Sequence, residues 1–186
     1  MQARNSFELE YQLSATRSVQ LNDLRFPFPS HWRAVRGTQR LSTASNAGLS
    51  LHSEARVRAE QLIDIFMTPD TSGGVTTHLT IDFGPMTPRP DPDWDELGRV
   101  YHHARGFGLA LARSMFQTPY YPWKLHETAS ALGTLPRSLQ KTLFRECYSF
   151  DAALRRCRRL NGLLEEGNSS AGLRVVGLRR EFRKHA

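Results

Sequence analysis

Hydrophobic positions alternate in the first half of this chain and recur every three or four residues in the second. Near the start, F-E-L-E-Y-Q-L sets Phe7, Leu9, Tyr11 and Leu13 against polar or acidic neighbours, which predicts a half-exposed strand. V-T-T-H-L-T-I-D-F places Val75, Thr77, Leu79, Ile81 and Phe83 on one side and predicts another, with His78 on its polar, surface side. Between them, R-F-P-F-P-S-H-W carries two prolines and reads as irregular, with His31 and Trp32 anchoring a loop against the core. Ser42 to Ser53 is rich in Ser, Ala, Thr and Asn and also reads as a loop. Residues 53–67 predict a helix, capped by Ser53 and striped by Val57, Leu62, Ile63, Phe66 and Met67. P-D-T-S-G-G breaks the pattern, and the four prolines of Gly84 to Pro92 mark a linker.

From residue 92 the spacing becomes helical. Trp94, Leu97, Val100, Tyr101, Ala104, Phe107 and Leu111 predict one long helix over 92–116, with Asp93 and Glu96 in its first turn. His102 and His103 point about 100° apart on such a helix, which is poor spacing for a metal. Leu125, Ala129 and Leu132 then form one helical face, and Gly133 follows, a residue that enters the left-handed conformation at little cost. Pro136 suits the first turn of a second helix. That helix carries Leu139, Leu143 and Cys147 on one face, with Arg137, Ser138, Gln140, Lys141 and Arg145 directed elsewhere. The pattern is a helix-turn-helix over about 124–146, whose basic second helix suits the DNA major groove. A third helix follows, with Phe150, Leu154, Cys157 and Leu164 on one side and Arg155, Arg156, Arg158 and Arg159 on the other.

Residues 123–160 resemble the first helix-turn-helix of the AraC/XylS family of bacterial transcription regulators. The resemblance rests on Leu125, Ala129, Leu132, Gly133, Arg137, Leu139, Lys141, Leu143, Ser149, Phe150, Leu154 and Arg158. It covers under a quarter of the chain. Leu135 stands where the family has a capping serine, Cys147 where it has glycine, and Thr128 where an apolar residue is usual. Family members carry two such units. Here A-G-L-R-V-V-G-L resembles the opening helix of the second unit and R-E-F-R-K-H-A its recognition helix, without the turn between, so that unit reads as abbreviated.

Charge sharpens this picture. Residues 124–186 hold 13 Lys+Arg against 6 Asp+Glu, whereas residues 1–123 hold 12 of each. The whole excess of +7 therefore falls with the helix-turn-helix, as expected of a DNA-binding end. No apolar run approaches the roughly 18 residues that span a membrane, and the first residues have no apolar signal-peptide core. The expected location is the cytoplasm, at the nucleoid. Cys147 and Cys157 read as free, buried thiols. No nucleophile elbow, phosphate-binding loop, C-x-x-C or H-E-x-x-H is present, and Asp91, Asp93, Asp95 and Glu96 read as helix capping, so no enzyme activity, cofactor or metal is expected.

The sequence thus predicts an α+β protein. A small mixed region (1–90) would sense or dimerise, being too short for the full ligand-binding β-barrel of many family members. An all-α helix-turn-helix DNA-binding domain (91–186) would follow. Arg137, Ser138, Gln140, Lys141, Arg145 and Arg158 are the candidate contacts to double-stranded DNA. A homodimer is expected to strengthen binding, and no small-molecule effector is indicated. The alternative is a regulator that binds protein rather than DNA and modulates a full-length relative.

Overall fold

The structure is a computed structural model and describes residues 5–43, 46–50, 54–84, 90–103, 105–165 and 172–184. It divides into two compact units, Met1–Thr87 with Gly162–Ala186, and Pro88–Asn161.

The first unit is built of strands: β1 (Asn5–Ala15), β2 (Val19–Leu24), β3 (Ser30–Arg36), β4 (Thr38–Thr43), β5 (Asn46–Ser50), β6 (Glu54–Val57), β7 (Ile63–Thr68), β8 (Val75–Asp82) and β9 (Leu173–Lys184). They form a five-stranded sheet, β6-β3-β8-β1-β9, and a four-stranded sheet, β2-β7-β4-β5, with antiparallel pairing throughout. Without β9, this is the strand order of an eight-stranded jelly roll. Alternation drives it. Val75, Thr77, Leu79 and Ile81 of β8 are buried, as are Ile63, Ile65 and Met67 of β7, while the residues between them stay partly or fully exposed. Thr77 satisfies its buried hydroxyl by donating to the Arg33 carbonyl at 3.0 Å. Large side chains fill the core: Trp32 is 1% exposed, with Phe26 centred 6.2 Å from it, and Phe28 lies 4.4 Å from Phe83. Gly37 turns β3 into β4 at φ 77°, where a Cβ would sit 2.7 Å from the Thr68 carbonyl oxygen.

Several expectations are corrected here. The N-terminal region is not a small mixed α+β layer. Asn5–Gly84 contains no helix among its described residues, and its short strands are sufficient for two antiparallel sheets. The helix expected over 53–67 is β6 and β7, because I-D-I-F-M satisfies a period of two as well as one of 3.6 and pairing with β2 and β4 selects the former. Its proposed cap, Ser53, lies outside the described residues. Of the loop expected from Ser42 to Ser53, residues 42–43 end β4 and Asn46–Ser50 is β5, while residues 44–45 and 51–53 are likewise outside the described residues. Trp32 and His31 lie in β3 rather than a loop. Of the linker, 85–89 are outside the described residues.

The second unit is helical: α1 (Trp94–His103), α2 (Phe107–Gln117), α3 (Leu125–Ala131), α4 (Pro136–Arg145) and α5 (Phe150–Leu164), the last three residues of α5 belonging to the first unit's segment. Asp93 caps α1 by accepting from the Glu96 amide at 3.0 Å. The single helix expected over 92–116 is two, because Gly106 at φ 86° enters the left-handed region; Ala104 is outside the described residues. Leu97, Val100, Leu111, Met115, Leu139 and Leu143 are buried. Cys157 is buried and donates to the Ala112 carbonyl at 3.3 Å, but Cys147 is exposed, since α4 has ended before it.

The expectation of an all-α second half is overturned by the chain's end. Leu173–Lys184, read as remnants of a second helix-turn-helix, is β9, paired along its length with β1 from Asn5↔Lys184 to Ala15↔Leu173. With it go five cations of the basic segment. The unit Pro88–Asn161 holds 12 Lys+Arg against 7 Asp+Glu, a net of +5. No helix among the described residues is long and apolar enough to cross a membrane.

Candidate nucleic-acid interface

The turn between α3 and α4 is fixed by backbone chemistry. Gly133, at φ 62°, donates to the Ser130 carbonyl at 3.0 Å, and Thr134 to the Ala129 carbonyl at 2.9 Å. This pair of bonds is a Schellman closure of α3. Leu135 occupies the N-cap of α4 with no side-chain capping bond, and Pro136 starts the helix without an N–H to satisfy. Thr134 does not cap in its place, because its hydroxyl meets the Tyr101 hydroxyl at 3.0 Å. His102 donates from Nε2 to the Leu132 carbonyl at 3.1 Å, so α1 holds the turn at two points.

At its far end α4 closes in the same way. Cys147 takes φ 61° and donates to the Phe144 carbonyl at 3.0 Å, and Tyr148 donates to the Leu143 carbonyl at 2.9 Å. Cys147 thus does the work of a glycine in a conformation that a side chain disfavours. Glu146 then crosses to α2. Its carboxylate accepts from the amides of Gly106 and Phe107 at 2.9 and 3.2 Å, and from Gly108 at 2.6 Å. It supplies the cap that Gly106 lacks and places negative charge at the helix's positive end. A Cβ at Gly108 would collide with the Tyr148 ring, so glycine is required there.

These ties seat α4 by Leu139 and Leu143 and leave its other face to solvent. Arg137, Ser138, Gln140, Lys141 and Arg145 are all exposed on it. Among the described residues none of Arg137, Lys141 and Arg145 forms an ion pair. Lys124 on the preceding segment differs: it bonds Glu127 at 2.7 Å, and its ammonium holds the Glu127 carboxyl below its ordinary range. Arg158 is exposed on α5, a separate element, beside the exposed Arg155.

The residue missed in the sequence is Phe144. It is 80% exposed and lies seven residues, about two turns, beyond Arg137, on the same outer face as Gln140 and Lys141. A helical projection would have found it, since Leu143 faces inward and its neighbour must point about 100° away.

A second polar concentration lies on the outer face of the five-stranded sheet, a concavity of about 630 Å³. There polar side chains of neighbouring strands come close to one another. His31 Nε2 is 3.3 Å from Glu54, His78 Nδ1 is 3.6 Å from Glu10, and Arg33 Nη2 donates to that same His78 Nδ1 at 2.9 Å. Among the described residues no cluster of His, Cys, Asp and Glu is arranged to hold a metal ion.

The molecule is therefore a helix-turn-helix unit joined in one chain to a jelly-roll unit. No family model matches the chain, and no curated protein matches it. Among solved structures it is similar to ToxT from Vibrio cholerae. Unsaturated fatty acid-bound wild-type ToxT of strain SCE256 has 10% identity over 88% of this chain and 82% of that chain, with a TM-score of 0.43. An apo single-site variant of the same strain has 10% identity over 88% and 83%, with a TM-score of 0.47. ToxT of strain O395 has 9% identity over 85% and 81%, also with a TM-score of 0.47. Similarity of this size fixes neither family nor function.

Proposed function

We propose that this chain is a sequence-specific DNA-binding transcription regulator of the AraC/XylS type, with α4 reading the major groove. The observation that carries the proposal is the outer face of α4: Arg137, Gln140, Lys141 and Arg145 exposed and without ion pairs among the described residues, on a helix fixed at both ends. Arginine pairs with guanine O6 and N7, and glutamine with adenine N6 and N7. Ser138 adds a hydroxyl that bonds either base edges or phosphate. Lys141 and Arg145 reach phosphates, as does Arg158 from the following helix. A lone reading head makes few contacts, so a homodimer on two half-sites strengthens binding. The test is selection of sites from random duplex DNA, then titration of variants on the selected site and on random DNA over a range of salt. Arg137→Ala and Gln140→Ala should each cost about 1–3 kcal/mol on the selected site and relax one position. Arg158→Ala should weaken all sequences equally and reduce the salt slope by about one. Equal, sequence-independent losses for all three would mean that α4 is not a reading helix.

A second reading is a regulator that binds protein and modulates a full-length relative. It is favoured by β9, which occupies the stretch where the resemblance places a second unit. A gel shift with no salt-sensitive binding would select it.

A further inference from the structure

Phe144 introduces an apolar group into a face otherwise made of hydrogen-bonding side chains. It is 80% exposed, and the carbonyl contacts from Cys147 and Glu146 hold its stretch of backbone in place. Its azimuth on α4 falls between those of Arg137 and Gln140, because steps of seven and four residues from it return nearly to the same face. Were α4 to enter the major groove, the phenyl ring would enter with it. A phenyl group cannot donate to or accept from a base edge or a phosphate. The major groove offers one apolar feature, the 5-methyl group of thymine. Resting on the reading of α4 as the recognition helix, we infer that Phe144 is a specificity-determining residue that packs on a thymine methyl group.

The spacing places that thymine. Seven residues of helix rise about 10 Å, and one base pair rises about 3.4 Å. The thymine therefore lies at most about three base pairs from the base pair read by Arg137, the value reached when α4 runs parallel to the duplex axis. The contact excludes water from both groups, and its loss should cost about fourfold in affinity, the contribution of one buried methyl-sized group.

The experiment uses the full chain and its selected duplex. Each thymine of the site is replaced in turn by deoxyuridine, which removes only the methyl group, and binding is measured for the wild type and for Phe144→Ala. Because Phe144 is exposed, the variant should melt at the wild-type temperature, and Phe144→Leu, which keeps an apolar side chain, serves as a second probe. The expected result is one position where uracil weakens the wild type about fourfold, weakens Phe144→Leu less, and leaves Phe144→Ala unchanged. Sequence-preferring binding that no uracil affects, or that uracil affects equally in wild type and Phe144→Ala, overturns the inference and leaves the DNA reading standing. Absence of any sequence-preferring binding overturns both, and the arginine and glutamine variants would then show no selective loss either.

Discussion

Charge is handled differently at the paired arginines of the β unit and on α4. In the β unit, Arg25 lies 2.8 Å from Glu60 and Arg36 2.9 Å from Asp70, while the exposed Arg40, Arg56 and Arg58 form no ion pair among the described residues. On α4, three cations share one face with no partner of opposite sign among the described residues. A cation already paired within the fold, as Arg25 and Arg36 are, is suited to remaining in water. A helix face with unanswered charge, set by buried leucines and backbone bonds, is suited to a polyanion. The contrast teaches that the number of basic residues says less than whether the fold has already given them counter-ions.

The largest effects should come from the two cores. Trp32→Ala should cost the β unit about 3–5 kcal/mol, and Leu139→Ala should cost the helical unit about 2–5 kcal/mol, both measured by chemical denaturation. Leu139→Ala should also abolish preference for the selected site, because it unseats α4. A cost under about 1 kcal/mol for Leu139→Ala would break the claim that this residue fixes the face.

Next comes the tie between α4 and α2. Glu146→Ala removes the acceptor of three amides and should destabilise the helical unit by about 1–2 kcal/mol, read as a lowered melting temperature. Glu146→Gln keeps one acceptor oxygen and should fall between that variant and the wild type. If Gln and Ala behave alike, the charge rather than the bonding carries the effect.

Two substitutions at the ends of α4 should stabilise. Cys147→Gly relieves a left-handed side-chain residue, and Leu135→Ser supplies the missing N-cap, each by about 1 kcal/mol. Thermal melting should rise by a few degrees in each case. No rise for Cys147→Gly would mean that its side chain has a compensating contact.

The smallest effect concerns the answered charges. The Arg36 guanidinium beside Asp70, with added bonds from Ser72 and the Gly74 amide, holds the Asp70 carboxyl well below the ordinary carboxylate range. A depressed folded-state pKa gives stability that is present above the unfolded pKa, about 3.9, and lost as pH falls through the folded value. Asp70→Asn should therefore lower the melting temperature slightly at pH 7, and the gap should narrow below pH about 4. A gap that widens in acid would reverse the sign and contradict the pairing.

The helix-turn-helix was legible because its signals are local. Gly133, Pro136 and the spacing of Leu125, Ala129, Leu132, Leu139 and Leu143 lie within 19 residues and determine the turn almost unaided. β1 and β8 were legible by strict alternation. β9 was not, because its partner β1 lies at the other end of the chain, and an Arg-rich stretch has no stable strand identity without that partner. The stretch 53–67 failed for a related reason: Ile63, Phe66 and Met67 fit a helix stripe, and only pairing with β2 and β4 decides for a strand. Cys147 falls on the buried face of α4 only on a helix that continues past Arg145, and α4 ends there.

The central claim is that α4, and not the charged sheet, meets the nucleic acid. Amide hydrogen exchange of the full chain, with and without the selected duplex, tests it most directly. The expected result is slowed exchange in α4 and the adjoining turn, with β3, β6 and β8, which carry the polar sheet face, unchanged. Slowed exchange confined to β3, β6 and β8, or no change in α4 under conditions where the duplex is bound, would contradict it.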